Sequence, residues 1–139
     1  MRIVVRGIPA AQGSKRAIRR KDGGVNLVES SRAVGPWREA VRAETQRAMN
    51  AWGPYPGPVA LEVRFLLPKP KSAPKRQLYP AKRPDLDKLL RALLDGLTEG
   101  GAWNDDAQVV RITAAKDYAE FEAPGCYVDV RSAEEPEGS

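Results

Sequence analysis

Between Arg83 and Leu97, apolar residues recur at three- and four-residue steps, at Leu86, Leu89, Leu90, Leu93, Leu94 and Leu97. That spacing predicts an α-helix with one almost wholly leucine face, packed on a core. Val59, Leu61, Val63, Phe65 and Leu67 alternate with polar Glu62 and Arg64, the period of a half-buried strand. A second helix is predicted from Pro36, a residue suited to a first helical turn, through Trp37, Ala40, Val41, Thr45, Ala48 and Trp52 to the break at Gly53-Pro54. Arg2 to Ile8 reads as a first strand, and Cys126 to Val130 as the last. Ala107 to Ala115 reads as a strand with Val110, Ile112 and Ala114 on one face. Asp22-Gly23-Gly24 between two partly alternating runs signals a hairpin. Together these predict a single compact α/β (α+β) domain over residues 1–131, with a small mixed sheet and two main helices packed mostly on one face. The acidic end, 132–139, reads as a disordered tail.

Composition narrows the chemistry. A chain of 139 residues is long enough for one domain with a real core, and no apolar run approaches the eighteen or so residues that cross a bilayer. The N-terminal apolar run is interrupted by charge and lacks a small-residue cleavage site, so it reads as a strand and not a signal peptide. A single cysteine, Cys126, excludes a disulfide framework, and a cytoplasmic protein is expected. There is no histidine, which removes His-based triads and nearly all zinc hydrolases. No phosphate-binding Gly-rich loop ending in Gly-Lys-Ser/Thr is present either. A catalytic metal here must take oxygen ligands, which selects Mg²⁺, with Mn²⁺ as a substitute.

Charge is strongly segregated. Residues 1–84 hold 18 Lys/Arg and 5 Asp/Glu, whereas residues 85–139 hold 5 and 13, which together give the net +5. One basic cluster is Lys15, Arg16, Arg19 and Arg20, on the predicted hairpin. The other is Lys69, Lys71, Lys75, Arg76, Lys82 and Arg83, in a proline-rich segment expected to stay extended and mobile until a ligand orders it. A polyanion such as nucleic acid is the partner this pattern suggests. Six to eight phosphate contacts would give a log–log salt slope of about −5 to −7. The competing reading is a solvated basic surface, a loose hairpin insertion and an acidic tail.

The acids supply the second half of the picture. Asp85 and Asp87 begin the leucine helix, where capping and the helix dipole account for one acid or two. Asp105 and Asp106 follow Gly100-Gly101 and are expected to fold back toward that helix, making four carboxylates around a divalent ion. Adjacent strand residues point to opposite faces, so only one of Asp105 and Asp106 should be a direct ligand. Arg91 lies between Asp87 and Asp95 at helical spacing. It is either a surface ion-pair partner worth a few tenths of a kcal/mol or a holder of the scissile phosphate.

The run Pro84-Asp85-Leu86-Asp87-Lys88-Leu89-Leu90-Arg91-Ala92-Leu93-Leu94-Asp95-Gly96-Leu97, followed by Trp103-Asn104-Asp105-Asp106-Ala107-Gln108-Val109-Val110, resembles the signature of the RusA family of Holliday-junction resolvases. Gly7-Ile8-Pro9 with the nearby Gly13-Ser14-Lys15-Arg16 is a weaker match. The resemblance implies a Mg²⁺-dependent homodimeric endonuclease that resolves four-way DNA junctions by paired symmetric nicks, in recombination and repair. Matched by position, Asp85, Asp87 and Asp106 correspond to the essential metal carboxylates and Asp105 to the adjacent acid. The family usually has Asn at Lys88 and Lys at Arg91, so the basic catalytic role falls to Arg91 or to Lys116, which matches a basic position after the Asp-containing strand. The alternatives are a non-catalytic junction-binding module and a Mg²⁺ nuclease for flaps or other branched DNA.

Overall fold

The computed structural model describes residues 1–13, 16–19, 21–22, 25–28 and 32–136. In chain order these form β1 (Arg2–Arg6), β2 (Arg16–Arg19), β3 (Val25–Val28), α1 (Val34–Met49), β4 (Val59–Pro68), α2 (Leu86–Glu99), a 3₁₀ turn (Asp106–Gln108), β5 (Val109–Ala119) and β6 (Gly125–Ser132). Four strands make one mixed sheet in the order β1-β6-β4-β5, with β5 parallel to β4 and the other pairs antiparallel. The expected hairpin forms as β2 paired with β3. This is a small α+β domain with two helices, as the hydrophobic pattern predicts.

The alternation in β4 places its residues as expected. Leu61, Val63, Phe65 and Leu67 are buried on the helix side, joined there by Ile3, Val5, Val128 and Val130, while Glu62 and Arg64 face solvent. The other face of the sheet buries Ala60 and Leu66 and pairs its charges between and around them. Arg2 pairs with Asp129 at 3.1 Å and Arg64 with Asp117 at 3.0 Å, and the Tyr127 ring lies between the guanidinium groups of Arg2 and Arg6.

α2 buries Leu89, Ala92, Leu93, Gly96 and Leu97. Its contact with α1 explains a glycine inside a helix that otherwise favours leucine. A Cβ on Gly96 would lie 2.7 Å from the Val41 Cβ and 3.1 Å from the Arg38 carbonyl oxygen. Arg38 also brackets the two helices through Asp95 at 3.9 Å and Glu99 at 3.7 Å. Gly96→Val should therefore lower stability by about 3 kcal/mol through overpacking, read by urea denaturation. An unchanged midpoint would mean that the helices do not meet there.

β5 departs from expectation at its two ends. It begins at Val109 after the 3₁₀ turn and runs to Ala119, four residues beyond the predicted end. The register slips between Val59 and Ala60, which pair with Val109 and Arg111, so Val110 is the extra residue of a bulge and is 61% exposed. Ile112 and Ala114 do share a face, opposite Leu61 and Val63. At the far end of the chain, Ala133 donates its N–H to Pro58, tying the turn after β6 to the domain, and residues 137–139 lie outside the described residues.

Candidate metal and nucleic-acid site

Asp85 is the N-cap of α2, with an extended backbone, yet its carboxylate makes no capping hydrogen bond. Asp87 lies in the first turn with its side chain 75% exposed, and its nearest cation is Lys88 at 3.5 Å. Capping thus leaves both carboxylates available. Asp105 is used differently. It caps the 3₁₀ turn by accepting the Ala107 N–H at 2.9 Å, and Gln108 Oε1 accepts from the N–H groups of Asn104 and Asp105. Gln108 Nε2 in turn donates to the carbonyls of Tyr55 and Gly57. Asp105 builds the turn, and the Asp106 carboxylate is left without a polar partner among the described residues, on an exposed residue.

The expected convergence of four acids does not occur within one chain. The Lys116 ammonium, in β5, donates to the carbonyls of Lys82 and Pro84, each at 2.8 Å. That places the start of α2 beside the far end of β5, whereas Asp106 precedes the near end. The seven steps from Val109 to Lys116 span roughly 23 Å of strand. Among the described residues, no group of three or more potential ligands is close enough to hold a metal. The cause is the path after α2. Gly100-Gly101 does turn the chain, with Ala102 N–H donating to Leu97, but the next residues are captured by Tyr55. Its N–H donates to the Ala102 carbonyl, and it bridges to buried Trp103. Trp103 Nε1 donates to Thr98 Oγ1 at 2.8 Å and holds the turn at the helix C-terminus.

The cations are distributed just as unevenly. Arg91 does not join the helical ion pairs that its spacing allows, because Asp87 is nearest Lys88 and Asp95 is nearest Arg38. Its guanidinium is exposed and without a carboxylate partner among the described residues. Lys116 is half-buried, and two of its three donors are occupied by loop carbonyls.

The basic segment 69–83 is turned and tethered, which corrects the expectation of an extended segment. Ala73 N–H donates to Pro70 and Gln77 N–H to Pro74, closing turns, and Gln77 Nε2 donates to the Tyr118 hydroxyl at 2.6 Å. The Lys69 ammonium lies 5.4 Å from the Tyr118 ring centroid. The longer β5 supplies these anchors, Lys116 and Tyr118. Lys71, Lys75, Arg76, Lys82 and Arg83 stay exposed without carboxylate partners among the described residues, and Tyr79 of the same segment is 69% exposed. Of the first cluster, Arg16 and Arg19 lie in β2, and Lys15 and Arg20 lie outside the described residues.

Sequence reasoning missed three residues. Gln108 had a readable signal, since Asp-x-x-Gln is the spacing of a capping box. Tyr118 and Tyr79 had none, because their roles depend on the longer β5 and on the turned loop. The lone cysteine is core packing: Cys126 is buried and desolvation pushes its thiol up to about 12, so no reactive thiolate is available.

The family described as Endodeoxyribonuclease RusA matches residues 7–131, from just after β1 to near the end of β6. No curated protein matches the chain.

Proposed function

Because the chain belongs to the RusA family of endodeoxyribonucleases, we propose that it resolves Holliday junctions as a Mg²⁺-dependent homodimer, placing paired symmetric nicks in opposed strands during recombination and repair in the cytoplasm. One observation carries the reading. The uncommitted carboxylates stand at the two ends of the α2/β5 unit, Asp85 and Asp87 at one and Asp106 at the other, with no complete ligand set among the described residues of a single chain. A two-fold axis across that unit reverses its direction. It brings Asp85 and Asp87 of one copy to the partner's Asp106, and does so twice. The same symmetry that two opposed cuts require thus completes two ligand sets.

The donor set suits a hard ion, since it is all carboxylate and the chain has no histidine and only a buried thiol. Asp85, Asp87 and the partner's Asp106 would hold Mg²⁺, which when bound would lower the pKa of a nucleophilic water and offset charge at the leaving oxygen. Asp105 keeps the turn that aims Asp106. Arg91, one helical turn beyond Asp87 and without an ion pair among the described residues, holds the scissile phosphate through its planar fork. Lys116 acts by position: its ammonium fixes the carbonyls just before Asp85 and so sets where that carboxylate stands. Lys69, Lys71, Lys75, Arg76, Lys82 and Arg83 track the phosphates of a DNA arm, and Arg16, Arg19, Lys15 and Arg20 add a second basic patch. Tyr79 offers a ring for stacking on an unpaired base at the branch.

Labelled four-way junction, fork and linear duplex, each with and without Mg²⁺, test this directly. Symmetric cleavage of the junction alone, and only with Mg²⁺, is expected. Binding without cleavage in Mg²⁺ would instead identify a junction-binding module, and preferential cutting of the fork a flap-type nuclease.

A further inference from the structure

Beside the acids at the start of α2 the chain encloses a cavity of about 310 Å³. Ile8 and Pro9, after β1, line one part of it, Leu67 and Pro68, at the end of β4, another, and the turned basic segment and Tyr118 the rest. Six of the lining residues are prolines, which have no rotamer freedom to lose when a ligand enters. The turns closed on the carbonyls of Pro70 and Pro74, and the Lys116 bonds to Lys82 and Pro84, hold that lining in place. The cavity is therefore formed before any ligand arrives.

Its chemistry selects the ligand. The volume lies at the low end of the roughly 300–1,000 Å³ of small-molecule sites, room for one planar ring system and too little for two nucleotides. Proline rings and the Tyr118 ring offer apolar surfaces on which such a ring stacks. No acid is among the lining residues, whereas Lys82 and Arg83 are, both exposed and without carboxylate partners among the described residues. The ligand thus carries or adjoins negative charge. One polar group stands fixed at the apolar wall: Gln77 Nε2 donates to the Tyr118 hydroxyl at 2.6 Å, which leaves the Gln77 amide oxygen as an acceptor without a partner among the described residues. A flat ring with an N–H on its edge and phosphate on either side is a nucleobase still in its strand.

Position identifies which base. Pro84 lines the cavity and its Cα is about 3.8 Å from that of Asp85, the first acid of the candidate metal site. We propose that the cavity receives a single base, turned out of the cleaved strand beside the scissile phosphate, with Lys82 and Arg83 on the flanking phosphates and Gln77 accepting from the base's edge. The inference rests on the reading that Asp85 and Asp87 mark where the strand is cut. It adds a reason for acting on branched DNA, since extruding a base costs least where its pairing is already broken. An uninterrupted duplex offers no such base.

Cross-linking tests this on the parent chain without Mg²⁺. Junctions carrying 5-iododeoxyuridine at one position at a time around the cut are bound, irradiated and digested for peptide mass spectrometry. A cross-link to Tyr118 from the one position beside the scissile phosphate is expected; cross-links to Tyr79 alone, or none from a bound junction, overturn the proposal. Free 5-iododeoxyuridine monophosphate that cross-links to Tyr118 as efficiently as the junction would overturn it too, in favour of a free-nucleotide site. The variant Ala73→Phe fills the cavity. With the parent's circular dichroism and melting temperature, it should cut the intact junction about tenfold more slowly, the effect of losing one stacked base, and a junction with an abasic residue beside the cut at the parent's rate. Equal losses on both junctions would contradict entry of the base. A parent that cuts junctions but shows neither signature overturns the cavity's role alone, whereas one that neither binds nor cuts them overturns the nuclease reading beneath it.

Discussion

Asp106→Asn is expected to lower junction cleavage at least about a thousandfold, since a lost metal carboxylate removes several kcal/mol of transition-state stabilisation and 1.36 kcal/mol is tenfold in rate. Junction affinity without Mg²⁺ should stay the same or rise, because the variant removes a negative charge from a surface that approaches phosphate. Asp105→Asn gives the control. Asn keeps the side-chain oxygen that caps the 3₁₀ turn, so its loss should be far smaller. The distinction follows from geometry alone: the capping bonds engage Asp105 and leave the neighbouring acid free. Gel-based cleavage rates under single-turnover conditions measure both, and equal losses would mean that the two acids share one role.

The second large effect concerns the basic loop. Neutralising Lys71, Lys75 and Arg76 together should make the slope of log affinity on log salt shallower by roughly 2 to 3 and weaken junction binding roughly a hundredfold near 0.15 M salt. The three side chains are exposed and make no ion pairs among the described residues, so their charge is available to a ligand. Their loop is held through Gln77, Lys69 and Lys116, which the triple variant leaves in place. Thermal stability should accordingly be unaffected. The arginines of the open sheet face make a useful comparison. Arg2 and Arg64 already face Asp129 and Asp117, and replacing them should change DNA affinity little.

Much of the fold is legible in the sequence because its periods are clean. Six leucines at helical steps and five apolar residues at alternate positions leave little choice for α2 and β4. β5 is harder. Past Ala115 its residues are Lys116, Asp117, Tyr118 and Ala119, which carry no strand period, and its partner β4 supplies the pairing that extends it. The chemistry of the acids is also legible, since the absence of histidine confines any metal to oxygen ligands. Their distribution is not. Whether Asp106 returns to Asp85 depends on Tyr55, some fifty residues earlier, which captures the chain at Ala102 and Trp103. The tethering of the basic loop likewise depends on Tyr118 and Lys116, contacts that no local pattern announces.

Mixing two inactive chains probes the shared site most directly. Asp87→Asn and Asp106→Asn chains are each expected to be inactive alone, and they are unfolded and refolded together so that subunits exchange. If each ligand set draws on two copies, a mixed dimer holds one set with both losses and one set intact. The mixture should then nick junctions, with about one quarter of the parental site concentration and without paired resolution. If the acids act within a single chain, every set in the mixture carries a loss, and no activity will appear above that of either variant alone.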